Sequence, residues 1–194
     1  MARHGTFPPE LKDTPLTIDK TGAALPHASC IVITTDGSCQ PNPGPGGCAA
    51  IIDSFDDRGA MTSETRVDGA SATTNNQMEL LAAIIGLEAI APVETRPILV
   101  CSDSEYVVLG MNERLTKWIA SGWRNAARKP VPNRKLWERL QAQCEGRDVS
   151  FQWVQGHAGN AWNELADQQA AQECERWKAK ADEQRFAELF GQPA

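Results

Sequence analysis

Two apolar, β-branched runs constrain this chain more than any other feature. Cys30-Ile-Val-Ile-Thr-Thr and Pro97-Ile-Leu-Val-Cys-Ser each read as a buried strand, and each runs into an aspartate, Asp36 and Asp103. A strand that is apolar along its whole length has no face for water, so it belongs inside a sheet covered on both sides. The second run reads as a central, parallel strand. Asp36-Gly37-Ser38 reads as the turn that stops the first, and Gln40–Gly47 is a dense Pro/Gly turn cluster. Cys48–Phe55 and Met61–Val67 read as two further strands around a hairpin turn at Asp56-Asp57-Arg58-Gly59, giving an antiparallel meander.

The period then changes. Across residues 76–91, Met78, Leu81, Ala82 and Ile85 share one helical face, flanked by Leu80, Ile84 and Leu87. Asn76 is the expected N-cap, with Glu79 three residues on. Helical pieces are expected at Ser104–Gly110, Met111–Ser121 and Arg134–Cys144, a strand at Val149–Val154, and a helix from Ala161 to about Lys180 followed by a polar tail. The order β-β-β-α-β-α-β-α predicts an α/β fold: a five-stranded mixed sheet, its first three strands antiparallel, flanked by helices.

The net charge of −6 argues at first against a nucleic-acid partner, but its distribution does not. Between Arg114 and Arg139 lie eight basic residues and one acid, a local charge of +7 that leaves −13 on the rest. Local charge decides binding to a polyanion. The six cysteines form no Cys-x-x-Cys pair, which argues against a zinc module and for reduced, buried thiols. The start of the chain lacks the apolar core of a secretory signal and no stretch is a membrane span, so a soluble cytoplasmic protein is expected.

Four carboxylates stand on separate elements. Asp36 and Asp103 follow strands at their carboxyl ends, where open α/β sheets bind ligands. Glu79 lies on a largely buried helix, and Asp167 on the last helix, with Asn163 and Glu164 at its i−4 and i−3 positions. Brought together, they would repel and hold one another protonated, and divalent cations remove that conflict. Two hard cations ~4 Å apart form the clamp of phosphodiester cleavage. Each acid also has a plain reading: turn residue, capping acid, N-cap or surface charge. Asp53, Asp56, Asp57 and Asp68 read as turn or solvent-side positions.

Four strings add specificity: Thr35-Asp-Gly-Ser-Cys-Gln-Pro-Asn-Pro-Gly-Pro-Gly-Gly47, Thr73-Thr-Asn-Asn-Gln-Met-Glu-Leu80, Ser102-Asp-Ser-Glu-Tyr-Val107 and Gly156-His-Ala-Gly-Asn-Ala-Trp-Asn-Glu-Leu-Ala-Asp167. Together, and in this order, they resemble the type 1 (bacterial HI) ribonuclease H family across residues 30–175. The resemblance implies a ribonuclease H-like fold. It also implies hydrolysis of the RNA strand of RNA–DNA hybrids to 5′-phosphate and 3′-hydroxyl ends, in service of removing replication primers and R-loops. Asp36, Glu79, Asp103 and Asp167 match the family's metal-binding tetrad, taking two magnesium ions with manganese as an alternative. His157 matches a histidine that assists proton transfer or product release, and Glu164 a residue of lesser role near the metals.

The same resemblance implies how the hybrid is read. Cys39 and Asn42 match the loop that meets the 2′-hydroxyl, and Asn75 matches an asparagine at the hybrid's minor groove. Thr74 and Asn133 match a pocket for a DNA-strand phosphate, where Ala72 replaces an arginine of some relatives. Glu105 stands where relatives often carry glutamine, and keeps an acceptor while adding charge. Residues 112–139 match a basic protrusion, in which Arg124 and Lys129 would track phosphates and Trp118 and Trp123 would pack on sugars or bases. Trp137 completes that cluster, and the plain reading of its tryptophans is core packing. The implied layout is a leader (1–28), a catalytic domain (29–175) and a helical tail (176–194). A monomer acting on hybrid is expected, with any protein partner of the tail unknown. Two other readings stand beside this one: a hybrid-binding module without catalysis, and a nuclease of the same fold acting on DNA.

Overall fold

In the computed structural model, residues 29–58, 60–156 and 160–191 are described, with the backbone of 17–18 and 24–25, which form a two-residue antiparallel ladder. The main sheet has five strands: β1 (Cys30–Cys39), β2 (Gly44–Phe55), β3 (Met61–Thr73), β4 (Ile98–Ser102) and β5 (Val149–Trp153). Their spatial order is β3-β2-β1-β4-β5. The first three pair antiparallel, and β4 and β5 join in parallel, which is the mixed sheet expected from the sequence.

The helices are α1 (Asn75–Glu88), α2 (Glu105–Leu109), α3 (Leu115–Ala120), α4 (Arg134–Cys144) and α5 (Ala161–Phe190), with a π-helical turn (Gly110–Arg114) joining α2 to α3. The strand period of two sorts residues between the two faces. Ile31, Ile33, Ala50, Ile52, Ile98 and Val100 meet Leu80, Ala83, Ile84 and Leu87 of α1, and Trp137 and Leu140 of α4 close that core. α5 packs on β1, β2 and β3. Its buried Ala166, Ala170 and Cys174 recur every fourth residue, and Gly47 faces them. A Cβ at Gly47 would stand 2.6 Å from the Glu173 carbonyl carbon and 2.7 Å from the Ala170 oxygen. Small residues on both sides let helix and sheet backbones touch. No helix among the described residues is long and apolar enough to cross a membrane.

Four local expectations are corrected. Asp36-Gly37-Ser38 is not a turn: β1 runs on to Cys39, still paired with β2. Gly37 makes this possible, because a Cβ there would lie 2.6 Å from the main-chain carbon of Met78 on α1. The N-cap of α1 is Thr74 rather than Asn76; its side chain accepts from Gln77 N while the Gln77 side chain accepts from Thr74 N. Asp53 is 2% exposed rather than solvent-side, since it points into the sheet opposite Val32; a hydrogen bond from Ser63 partly offsets the burial that pushes its carboxyl up. Finally, α5 does not stop near Lys180 but crosses residue 175 unbroken to Phe190. Trp177 packs against Gly69 of β3 there, with Lys180 Nζ 4.4 Å from its ring centre.

The Gly47 contact gives a first prediction. Gly47→Ala drives a methyl into rigid helix backbone, so it should cost about 3 kcal/mol, at the upper end of overpacking effects. Urea unfolding would report this as a lower midpoint with unchanged slope. A midpoint equal to wild type would mean that α5 is not seated as described.

Candidate active site

The register between β1 and β4 ends at the Thr35–Ser102 pair. One residue further on stand Asp36, still in β1, and Asp103, just past the end of β4. α1 enters over this edge, and its backbone contact with Gly37 sets Glu79 above them. One oxygen from each of Asp36, Glu79 and Asp103 lies within 4.8 Å of the others. Asp167 approaches the cluster from α5, near enough for its charge to raise Asp36, but does not join that mutual group of three. Glu164 is exposed, and His157 lies outside the described residues.

The electrostatics are one-sided. Burial, then the charge of Asp103, and then Asp167 push the Asp36 carboxyl up to about 8, against the Gly37 N–H that donates to its Oδ1 at 2.8 Å. Glu79 is 6% exposed, and burial followed by the charges of Asp36 and Asp103 raises it well above the usual carboxylate range. Asn75 Nδ2 donates to Glu79 Oε1 at 3.3 Å, while Oε2 is buried with no partner among the described residues. A hard cation is the group that fits: the donors are all carboxylate oxygens, crowded, and one is orphaned.

The residues matched to hybrid recognition fall into three groups. Asn42 and Asn75 sit beside the acids, with Asn75 N–H donating to Asn42 Oδ1 at 3.2 Å. The Cys39 thiol is buried with the carbonyls of Pro41, Gly44 and Thr73 all within reach of its single S–H, so any substrate contact from this residue is through its main chain. Thr74 and Asn133 are joined through Gln77: Thr74 caps α1 with it, and Gln77 Nε2 donates to Asn133 Oδ1 at 3.2 Å. Asn133, in the left-handed region at φ 58°, donates in turn to Tyr106 Oη at 3.1 Å, and so does Trp137 Nε1 at 3.3 Å.

The basic segment projects from that network. Trp137 is fully buried and takes Trp118 edge-on at 5.2 Å between ring centres. Trp123 is half-buried, with the Arg134 guanidinium 5.3 Å over its ring. Arg124, Lys129 and Glu105 are exposed. The structural residues that the sequence reading missed are Gln77, Tyr106, Trp153 and Gly156. Trp153 Nε1 donates to the Asp103 carbonyl at 3.0 Å, and a Cβ at Gly156 would stand 2.5 Å from Asp103 Oδ2. Gln77 carries a local signal, the Thr-x-x-Gln spacing of a capping box with Thr74; Tyr106, Trp153 and Gly156 act on partners distant in sequence and carry none.

Comparison with known proteins follows the same lines. The family model described as RNase H matches residues 28–175. A ribonuclease H of Roseobacter denitrificans is 44% identical over 136 residues, 70% of this chain and 89% of the relative. The crystal structure of LC9-RNase H1, a type 1 RNase H with the type 2 active-site motif, superposes with a TM-score of 0.70 at 27% identity. It covers 77% of this chain and 74% of that one. A foamy viral protease–reverse transcriptase in complex with RNA/DNA hybrid gives 0.65 at 25% identity, over 86% of this chain and 23% of that one.

The raised carboxyls predict a pH dependence. A carboxyl raised in the folded state binds more protons there than in the unfolded chain, so stability falls as pH rises. For Asp36 the loss runs from its ordinary value of 3.8 to about 8. Metal-free wild type and Asp36→Asn should melt together at about pH 4, and wild type should fall progressively below the variant as pH rises, by on the order of 10 °C at pH 8.5. Magnesium should close that gap by raising wild type alone. Parallel melting curves across this range, with no magnesium effect, would contradict the reading.

Proposed function

The chain belongs to the ribonuclease H family, and from that premise we propose that it hydrolyses the RNA strand of RNA–DNA hybrids at the Asp36–Glu79–Asp103 cluster. The observation that carries this is the approach of three acids, from two strands and a helix, to within 4.8 Å with no basic group in the trio. The foamy viral relative of the same fold holds an RNA/DNA hybrid, which supports the substrate class.

Asp36, Glu79 and Asp103 would hold two magnesium or manganese ions, with Asp167 adding a carboxylate beside Asp36. Bound there, the ions supply a water of lowered pKa and neutralise charge on the leaving 3′-oxygen. The protein's own residues do the rest. Asn75 donates to Glu79, so the asparagine matched to the minor groove is hydrogen-bonded to an acid of the cluster. Asn42 is tied to Asn75, which fixes the loop that would meet the 2′-hydroxyl. Thr74 and Asn133, held by Gln77, would receive a phosphate of the DNA strand. Arg124 and Lys129 would add salt-dependent grip on phosphates, and Trp118 and Trp123 would lie along the duplex. His157 would carry the proton or help release product. This reading describes a monomeric cytoplasmic enzyme that removes primers and R-loops, built on a catalytic domain spanning residues 29–175.

The test is cleavage of an end-labelled hybrid with magnesium, beside RNA–RNA, DNA–DNA and single-stranded RNA. Only the RNA of the hybrid should be cut, leaving 5′-phosphate and 3′-hydroxyl ends. EDTA should stop the reaction, and Asp36→Asn should slow it at least ~1,000-fold, as several kcal/mol of transition-state stabilisation imply. Salt-sensitive hybrid binding without cleavage would favour a binding module, and cleavage of duplex DNA a different nuclease.

A further inference from the structure

Asn163 lies on α5 one helical turn before Asp167 and is 2% exposed. Its Nδ2 donates to Asp103 Oδ2 at 3.4 Å. The opposite orientation would set a carbonyl oxygen against a carboxylate, so Asp103 fixes which end of the amide is which. Oδ1 is then buried with no donor among the described residues. A buried acceptor without a donor is costly. A residue there only for packing would not carry that cost: Ala166, Ala170 and Cys174, on the same helix, fill their buried places without an amide.

Two further contacts converge on Asp103. Trp153 Nε1 holds its main-chain oxygen, and Gly156 leaves room for Oδ2 where a Cβ would not. The Oδ2 side of Asp103 is therefore shaped by the protein, and the orphaned Asn163 oxygen lies one amide away from it.

We propose that Asn163 is a positioning residue for cation binding. Its Nδ2 orients Asp103, and its Oδ1 accepts a hydrogen bond from water carried by a divalent cation at the acid cluster. Asn163 is not itself a ligand. The proposal rests on the metal-dependent reading above and adds to it a residue and two atom-level roles.

Calorimetric titration of magnesium chloride into the full chain tests it, on wild type, Asn163→Leu and Asn163→Ala. Leucine keeps the volume and alanine adds no bulk, so one informative variant remains should the other not fold. Magnesium affinity should fall about 10–100-fold, the usual effect of losing a group that orients a metal ligand. The magnesium midpoint for hybrid cleavage should rise by the same factor, while KM for hybrid at saturating magnesium stays within twofold. Affinity within twofold of wild type in a folded variant would overturn the role of Asn163 alone. Absence of saturable magnesium binding by wild type would overturn the metal reading and this proposal together.

Discussion

Crowding of like charge at one end of the sheet is the constraint that the rest of the structure serves. Asp36, Glu79 and Asp103 are held within reach of one another, and Asp167 leans on the first of them. Burial and mutual repulsion raise Asp36 and Glu79, so the folded chain is under electrostatic load whenever they ionise. Hydrophobic packing bears that load. The core between the sheet and α1 places Leu80, Ala83, Ile84 and Leu87 directly behind Glu79, and the helix cannot withdraw without exposing them.

Backbone proximity, more than side-chain contact, sets the site's geometry. Gly37 lets β1 pass beneath the first turns of α1, Gly47 lets α5 lie on β2, and Gly156 leaves room for Asp103. At each place a side chain would meet main-chain atoms or the carboxylate itself. Away from the acids, the Thr74–Gln77–Asn133–Tyr106 chain of hydrogen bonds ties the start of α1 to the root of the basic segment. The fixed orientation of the tryptophan-braced protrusion relative to the acids follows from that link.

Much of this was legible in the sequence, for physical reasons. Apolar runs ending in Asp36 and Asp103 announce buried strands, the second of them central and parallel, and the sheet edge where they end. A charged Glu79 on an apolar helix asks for a partner, and eight cations clustered between Arg114 and Arg139 stand out against an acidic chain. What was hidden depends on neighbours far along the chain. Asp36-Gly37-Ser38 has turn composition, and only the arrival of α1 explains why it is strand. Asp53 looks like a solvent-side acid until the sheet register turns it inward. The Cys39 thiol faces three carbonyls, one of them 34 residues away. Gln77, Tyr106 and Asn133 are ordinary polar residues until spacings of 27 and 56 residues are folded together. The i−4 relation of Asn163 to Asp167 was visible, but its bond to Asp103 was not.

Anomalous diffraction from crystals soaked in manganese most directly tests whether these acids form a cation site. Manganese peaks among the facing oxygens of Asp36, Glu79 and Asp103, with all three carboxylates within coordination distance, are the predicted result. Peaks confined to other surface acids, with the three carboxylates splayed apart, would contradict it.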